Sequence, residues 1–508
     1  MGATCPRTGR PSVALTITEE VTVIRRLQRV LRPVDRSARE SGLSVIEVMV
    51  AMMVFAVMSV GIAYGIANTL QLTQTSRGRE TAVALASQDI DSMRQTAAAT
   101  TAGIFKVVSA SGATNTKTLG GVTYQVDRSV RWVQSDGASG ACGTSNGKLA
   151  YKSVVATVSW PNARGGTSST SMTSAIAPSD AVTDPGYGTV IVSVANASGA
   201  PFPGVAVSLT PIAGSGAIAP STAPLPTDSQ GCSYAVNVVP GDYTVTATVA
   251  GGIDTDQKQP SQQTPITVAA GASAPVPFVY DRASQLTLLY AQTYGATLPT
   301  NMPTVLSSTG GGLDTVTPWD TTSSTLAITS TSTPSLPVFP FTSGYTAFAG
   351  PYSNSPNSRV NCLSPSAAAW TAPNADGAVG ATPDVITTSA GAPASGSVRM
   401  GVATIKGVKG RYVTAVSSST PGPGDPGCTA GMTMKFPVST ADTATIALPF
   451  GTWTISSGTT FGSTSRNEIA TNASNVAPVT PGSVNRKTAL IVISYDNTLT
   501  LDPRGQTS

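Results

Sequence analysis

The sequence predicts an α+β protein: one long amino-terminal helix packed on a small antiparallel sheet, followed by all-β sandwich domains. Three observations predict it. Residues 43–67 are almost continuously apolar and run on, without a proline, into a stretch with one apolar side. Beyond residue 120, apolar and β-branched residues recur in short runs with period two. Gly (49) and Pro (37) punctuate those runs, and only 11% of the 508 residues are charged, a balance found in secreted β-rich proteins. A chain of this length holds roughly three or four domains.

The helix comes first. From Leu43 to Ala67 the chain reads LSVIEVMVAMMVFAVMSVGIAYGIA, which at about 1.5 Å per residue crosses a bilayer core. Ahead of it lie Arg25, Arg26, Arg29, Arg32, Arg36 and Arg39, a basic flank expected to stay in the cytoplasm and to place the rest of the chain outside. Residues 1–42 carry eight Arg against four acidic residues and so account for the whole net charge of +4; the remainder holds 22 basic and 22 acidic residues. A neutral exterior gives no counterion-release term for nucleic acid, and none is expected as a partner. The first twenty residues do not read as a leader, so translation is expected to start nearer Val21 or Val23.

Glu47 sits one turn inside the apolar run, where an ionised carboxylate costs about 3 kcal/mol on insertion scales. A nearby positive charge would compensate, and a cut after Gly42 would create one as the new α-amino group of Leu43. Arg39-Glu40-Ser41-Gly42 followed by Leu43-Ser44-Val45-Ile46-Glu47 resembles the class III signal of type IV prepilins and pseudopilins. The resemblance implies that a prepilin peptidase cuts after Gly42, that Leu43 is N-methylated, and that Glu47 neutralises a neighbouring subunit's terminal amine during assembly. Leu43 stands where the family usually has phenylalanine. Implied partners are the prepilin peptidase, other pilin subunits, a membrane assembly platform, and the bilayer before assembly. Two plainer readings compete: a simple signal anchor leaves Glu47 unexplained, and a secretory signal peptide cut after Ala67 has too long an apolar core.

Past the membrane segment, Leu70, Leu72, Val83, Leu85, Ala86, Ile90 and Met93 fall near one side of a continuing helix, a stripe suited to packing on a sheet. Gly61 and Gly65 occupy the region where major pilins often carry proline; they fit local unwinding and close helix packing equally well. Two alternating runs, Thr123 to Val133 and Tyr151 to Trp160, supply the sheet, and Pro161 to Gly186, dominated by Ser, Thr, Ala and Gly, reads as a linker.

From Tyr187 the segments GTVIVSVANASGAPFPGVAVSLTP and TDSQGCSYAVNVVPGDYTVTATVAG resemble a transthyretin-like or carboxypeptidase-regulatory-like β-sandwich. Pro240-Gly241 makes a tight turn, Tyr243 and Val245 point to one face, and Thr244 and Thr246 to the other. A weaker copy follows: Val398 to Val416 supplies strands, and Gly427-Cys428 with LPFGTWTIS matches Gly231-Cys232 with VPGDYTVTA in order. Arg282 to Asn361 is expected to be β structure with long loops, and Thr488 to Tyr495 a closing strand. The domain map is therefore 1–42 leader, removed; 43–98 helix, with 43–67 in the membrane; 99–160 head sheet; 161–186 linker; 187–281 sandwich; 282–508 carboxy-terminal β domain.

Five cysteines are present, Cys5 in the basic leader. The other four, Cys142, Cys232, Cys362 and Cys428, form no CxxC pair, and the chain has no His, which removes the common zinc sites and points to two disulfides in an oxidising compartment. The repeat favours Cys142 with Cys232 and Cys362 with Cys428, among three pairings. Without His no Ser/His/Asp or Cys/His relay can be built, and no phosphate-binding G-x-x-x-x-G-K-[ST] loop exists. No enzyme activity, metal or cofactor is expected. Asp254 and Asp256 read as a solvated turn more readily than as a calcium loop. Trp132, Trp160, Trp370 and Trp453 read as core more readily than as a sugar platform. The function expected is that of a minor structural subunit of a type IV pilus or related filament, its outer domains displayed for adhesion to a surface ligand. A pseudopilin of a secretion or DNA-uptake machine, and an unpolymerised surface adhesin, are the alternatives.

Overall fold

The computed structural model describes residues 44–505, except 101, 163–164, 179–180, 292–293, 310–334, 354–361, 429–431, 465–474 and 486–497. Helix α1 spans Val45–Ala98, 54 residues with no proline to break it. Its buried residues are Ala82, Leu85, Ala86, Ile90 and Ala97, and Met93 is half-buried against the same cluster. The expected stripe is therefore right only in its second half, since Leu70 and Leu72 are about three-fifths exposed and Val83 is exposed as well. Small residues carry much of the packing: Ala82, Ala86 and Ala97 are buried in the same cluster as the sheet residues, a role that a search for large apolar residues overlooks.

The head sheet contains β1 (Thr116–Leu119), β2 (Val122–Gln134), β3 (Ser139–Gly140), β4 (Leu149–Pro161) and β5 (Thr167–Ile176), in the order β1-β2-β4-β5 with β3 on β2, all antiparallel. Register sets Val126 opposite Val158 and Val130 opposite Val154. Period two then turns Tyr124, Val126, Val130 and Trp132 inward with Val154, Ala156, Val158 and Trp160, toward the buried side of α1. Strand β5 corrects the linker expected over 161–186: Thr167–Ile176 pairs with β4 without a register shift. Its Ser/Thr alternation looks like low complexity, yet every second residue is half-buried, and Thr is a good strand former.

The next domain holds β6 (Gly188–Ala195), β7 (Ala206–Pro211), β8 (Cys232–Val238), β9 (Gly241–Thr248), β10 (Gly252–Asp254), β11 (Ser261–Val268) and β12 (Ser273–Arg282). Two sheets, β10-β12-β6-β8 and β11-β9-β7, enclose one core of Val190, Val192, Val194, Val207, Tyr243, Val245, Phe278 and Tyr280 with their neighbours. Tyr243, Val245 and Ala247 are buried while Thr244 and Thr246 are half-exposed. Gly241 has φ +148°, and a Cβ there would lie 2.6 Å from the backbone nitrogen of Ala217, so the turn into β9 requires glycine.

The carboxy-terminal part continues with β13 (Ser284–Tyr290), β14 (Thr304–Ser307), β15 (Leu336–Val338), β16 (Thr346–Ala349), β17 (Pro393–Val398), β18 (Gly401–Lys406), β19 (Tyr412–Ser417), β20 (Thr433–Val438), β21 (Thr443–Leu448), β22 (Gly451–Gly458), β23 (Val476–Pro478), β24 (Gly482–Asn485) and β25 (Thr498–Leu501). The sheets are β15-β13-β17, β14-β16, β21-β18-β23 and β20-β19-β22-β25-β24. One apolar cluster runs through this region. The expected closing strand at Thr488 to Tyr495 falls outside the described residues apart from its neighbour β25.

The weak repeat is topological. In the first copy β6 pairs with β8 in one sheet and β7 with β9 in the other; in the second, β18 pairs with β21 and β19 with β22, again in separate sheets. Strands β8 and β21 thus correspond, each leading through a proline-containing corner into the opposite sheet. Cys232 opens β8, but Cys428 lies before β20, an extra strand ahead of β21. The positional match of Gly231-Cys232 with Gly427-Cys428 is therefore not a structural equivalence.

Candidate functional site

Two sets of residues bear on function: the start of α1 and the ties that hold the outer domains. At the helix start, Ser44 precedes the first helical residue and Glu47 is the third, the spacing of a capping box. The backbone N–H of Ser44 donates to Glu47 Oε2 at 3.4 Å, and the Glu47 N–H donates to the Ser44 carbonyl at 2.9 Å. The carboxylate also lies at the positive end of the helix dipole. Glu47 thus has a local structural role that its apolar setting had obscured. Gly42 and Leu43 lie outside the described residues. From Val45 to Ile66 the side chains are exposed, with Met53 and Phe55 each more than seven-tenths so; this stretch is long and apolar enough to cross a membrane.

The stem of the head is fixed by polar contacts as well as apolar ones. Asp89 on α1 accepts from Arg128 Nη1 on β2 at 2.7 Å, with both side chains close to nine-tenths buried. Arg128 Nε also donates to the Val108 carbonyl at 2.9 Å. Gly78 faces Trp160, whose Nε1 would stand 2.8 Å from a Cβ at that position. Lys152 is buried beneath the sheet, its ammonium donating to the Val107 carbonyl at 2.7 Å and lying 4.9 Å from the Trp132 ring centre. Burial pulls its amine down from the usual lysine range to about 8, with Asp228 opposing the shift. Arg128 and Lys152 carried no signal in the sequence, because a single Lys or Arg in an alternating strand normally faces water.

The head is joined to the first sandwich at several points. Cys142 is bonded to Cys232, with Cα atoms 5.2 Å apart. Trp132 Nε1 donates to the Tyr234 hydroxyl at 3.0 Å, and Phe105 packs on both rings. Burial keeps the Tyr234 hydroxyl protonated well above the usual tyrosine range. Gln230 accepts from the Ser109 N–H at 3.3 Å and donates to the Val130 carbonyl at 2.9 Å. Ile191 and Cys232 belong to the head's apolar cluster rather than to the sandwich core. Farther on, Gln257 accepts from the Phe339 N–H at 2.8 Å and donates to the Tyr345 hydroxyl at 3.1 Å, linking the sandwich to the carboxy-terminal part. There Cys362 is bonded to Cys428. Arg504 donates to Asp502 at 2.7 Å and to the carbonyls of Ala372 and Pro423, fastening the chain end across two loops.

Asp254 and Asp256 do not converge. Asp254 Oδ1 accepts from the N–H groups of Asp256 and Lys258 at 3.0 and 2.8 Å, and its Oδ2 from the Ser261 hydroxyl at 2.8 Å; Asp256 is exposed beside Lys258. Asp254 is thus the organiser of a turn. The four tryptophans form no platform. Trp132, Trp370 and Trp453 are fully buried and Trp160 nearly so, which removes the sugar-stacking reading.

No protein-family model matches the chain. No curated protein matches it either. Among solved structures, the chain is similar to the Bacillus anthracis TIE protein at 13% identity, covering 66% of this chain and 63% of that one, with a TM-score of 0.17. It is also similar to a streptococcal ancillary pilin, at 11% identity over 44% of this chain and 82% of that one, TM-score 0.18. A third is BcpA, the major pilin subunit of Bacillus cereus, at 11% identity over 32% and 65%, TM-score 0.14. This chain spans less than two thirds of the TIE protein and of BcpA.

Proposed function

We propose that this chain is a structural subunit, present in few copies, of a type IV pilus or related extracellular filament, with its β domains displayed for adhesion. The reading rests on one juxtaposition: a glycine, a hydrophobic residue and Glu47 at the start of an exposed apolar segment that continues as the same helix into a folded head. In this mechanism a prepilin peptidase cuts after Gly42 and methylates Leu43. The apolar half of α1 then leaves the bilayer for a bundle of neighbouring helices, exchanging lipid for protein contacts. Glu47 meets the amine of a neighbour there, where an unpaired charge would be costly. The other half of α1 stays in the head and carries it outward. Large stacked β domains crowd one another if repeated at every step of a thin fibre, which favours few copies placed near a tip.

Glu47→Gln tests the assembly role. The expected result is normal precursor level and membrane insertion, with at least tenfold less subunit in filaments sheared from the cell surface. Unchanged incorporation would contradict the reading.

A further inference from the structure

Sheet edges are hazardous because they offer unpaired N–H and C=O groups to any passing strand, and native proteins shorten, charge, bulge or cover them. The other long edges of this chain follow that rule. Strand β11 carries Pro265 and a register shift, β8 a register shift against β6, and β20 both Pro437 and Lys435. Strands β7 and β17 have proline at an end. The free side of β21 is covered by Thr297, which donates to the Thr445 carbonyl at 2.8 Å and accepts from the Ala447 N–H at 3.0 Å. The remaining edges among the described residues are two to four residues long.

Strand β5 has none of these guards. It is the longest edge among the described strands, ten residues reading TSSTSMTSAI, without charge, proline or glycine. It pairs with β4 in ten consecutive steps with no shift, so no bulge interrupts it. Among the described residues no backbone hydrogen bond reaches its other side. Thr167, Ser169, Ser171 and Thr173 lie exposed along it.

We propose that β5 is the docking edge for β5 of a second copy of this chain, the two strands pairing antiparallel about a two-fold axis. A second copy is the occupant that matches on every count. It brings a strand of equal length, equally free of bulges and equally uncharged, and antiparallel pairing of the two can run over residues 167–175 of both copies. A register centred on Ser171 sets Ser169 of one copy opposite Thr173 of the other, a cross-strand hydroxyl pair of the stabilising kind. Two-fold pairing of one patch with itself is also the commonest arrangement of protein copies. The free edge at the far side of the same sheet, β1, has four residues and includes Lys117, which would leave most of β5 unpaired. Strand pairing alone gives modest affinity, but copies tethered in one membrane or one fibre meet at high effective concentration. The inference needs only that tethering; it stands apart from the peptidase and adhesion steps proposed above.

The test places a photo-crosslinking amino acid at Ser171 of the full-length chain in producing cells. Irradiation is expected to give a species of twice the monomer mass, whose crosslinked peptide maps to residues 167–176 of the second chain. Adding Ser169→Lys with Thr173→Lys sets like charges opposite each other and should abolish that species. Retention of the Cys142–Cys232 bond in the variant shows that the head still folds. A crosslink to 116–119 of a second chain, a crosslink to a different protein, monomer alone, or a dimer band that survives both lysines would each overturn the proposal. Filament incorporation is scored on the same cells in the sheared fraction, so failure of strand pairing and failure of the filament reading give separate results.

Discussion

The corner at Val239–Tyr243 and the corner at Pro449–Trp453 solve one problem with different residues. Each carries the chain from one sheet of a sandwich to the other. Each places a glycine in left-handed backbone, Gly241 at φ +148° and Gly451 at φ +137°. Two residues later each buries an aromatic ring completely, and the ring's polar tip reaches back four residues. Tyr243 Oη donates to the Val239 carbonyl at 2.8 Å, and Trp453 Nε1 donates to the Pro449 carbonyl at 2.9 Å. The surroundings then diverge. Asp242 is on the surface with Thr267, whereas Thr452 in its place is buried and donates to Asp425 Oδ2 at 2.6 Å. The first sandwich uses its cysteine to hold the head, and the second keeps its disulfide within the carboxy-terminal part. A corner fixed by backbone geometry and one buried ring thus recurs, while the contacts around it are free to serve different neighbours.

The comparison breaks most visibly if the rings are removed. Tyr243→Ala and Trp453→Ala should each cost about 3–5 kcal/mol through the cavity they leave. Hydrogen exchange should show loosening that reaches the head only in the Tyr243 variant, because among the described residues only the first sandwich is tied to it. Equal loosening of the head by both would show that the two copies are mechanically one unit.

The disulfides sharpen the same contrast. Cys232→Ser and Cys428→Ser should each cost about 2–4 kcal/mol by freeing the unfolded chain. Limited proteolysis should open the segment between β5 and β6 only when Cys232 is lost. Cleavage there in both variants would show that the bond to Cys142 is not what holds the junction.

A smaller effect is expected with pH. In the folded head Lys152 loses its proton near pH 8, while the unfolded chain holds it to about 10.5. The unfolded state therefore binds more protons between those values, and stability rises with pH across that window, on the order of 3 kcal/mol at most. Tyr290, pushed up to about 12 by burial, works the other way, and its contribution fades above pH 10. Thermal melts should peak near pH 10, and Lys152→Met should flatten the climb from 8. A wild-type profile flat over 8–10 would contradict the assigned cause.

Much of the architecture was legible because periodicity survives translation into packing. The runs at Thr123 and Tyr151 alternate, and the structure buries alternate residues of both. What was illegible had compositional camouflage. Strand β5 looks like a Ser/Thr linker because hydroxyl side chains serve a half-buried strand and a solvated loop equally well. Alanines on α1 hide a packing surface, and Lys152 hides as an outward-facing polar residue. The cysteine pairs were reached through a positional match that the extra strand β20 breaks, so the same two bonds stand on different structural grounds. At the helix start, the capping spacing of Ser44 and Glu47 was visible in the letters but was eclipsed by the question of why a carboxylate should sit among apolar residues.

The most direct measurement is the amino-terminal residue of the mature, surface-exposed protein, read by mass spectrometry of its first peptide. The account predicts a peptide that begins at Leu43 with one added methyl group on its α-nitrogen. A mature chain beginning near Asn68, or one that still carries the residues before Gly42, would contradict it.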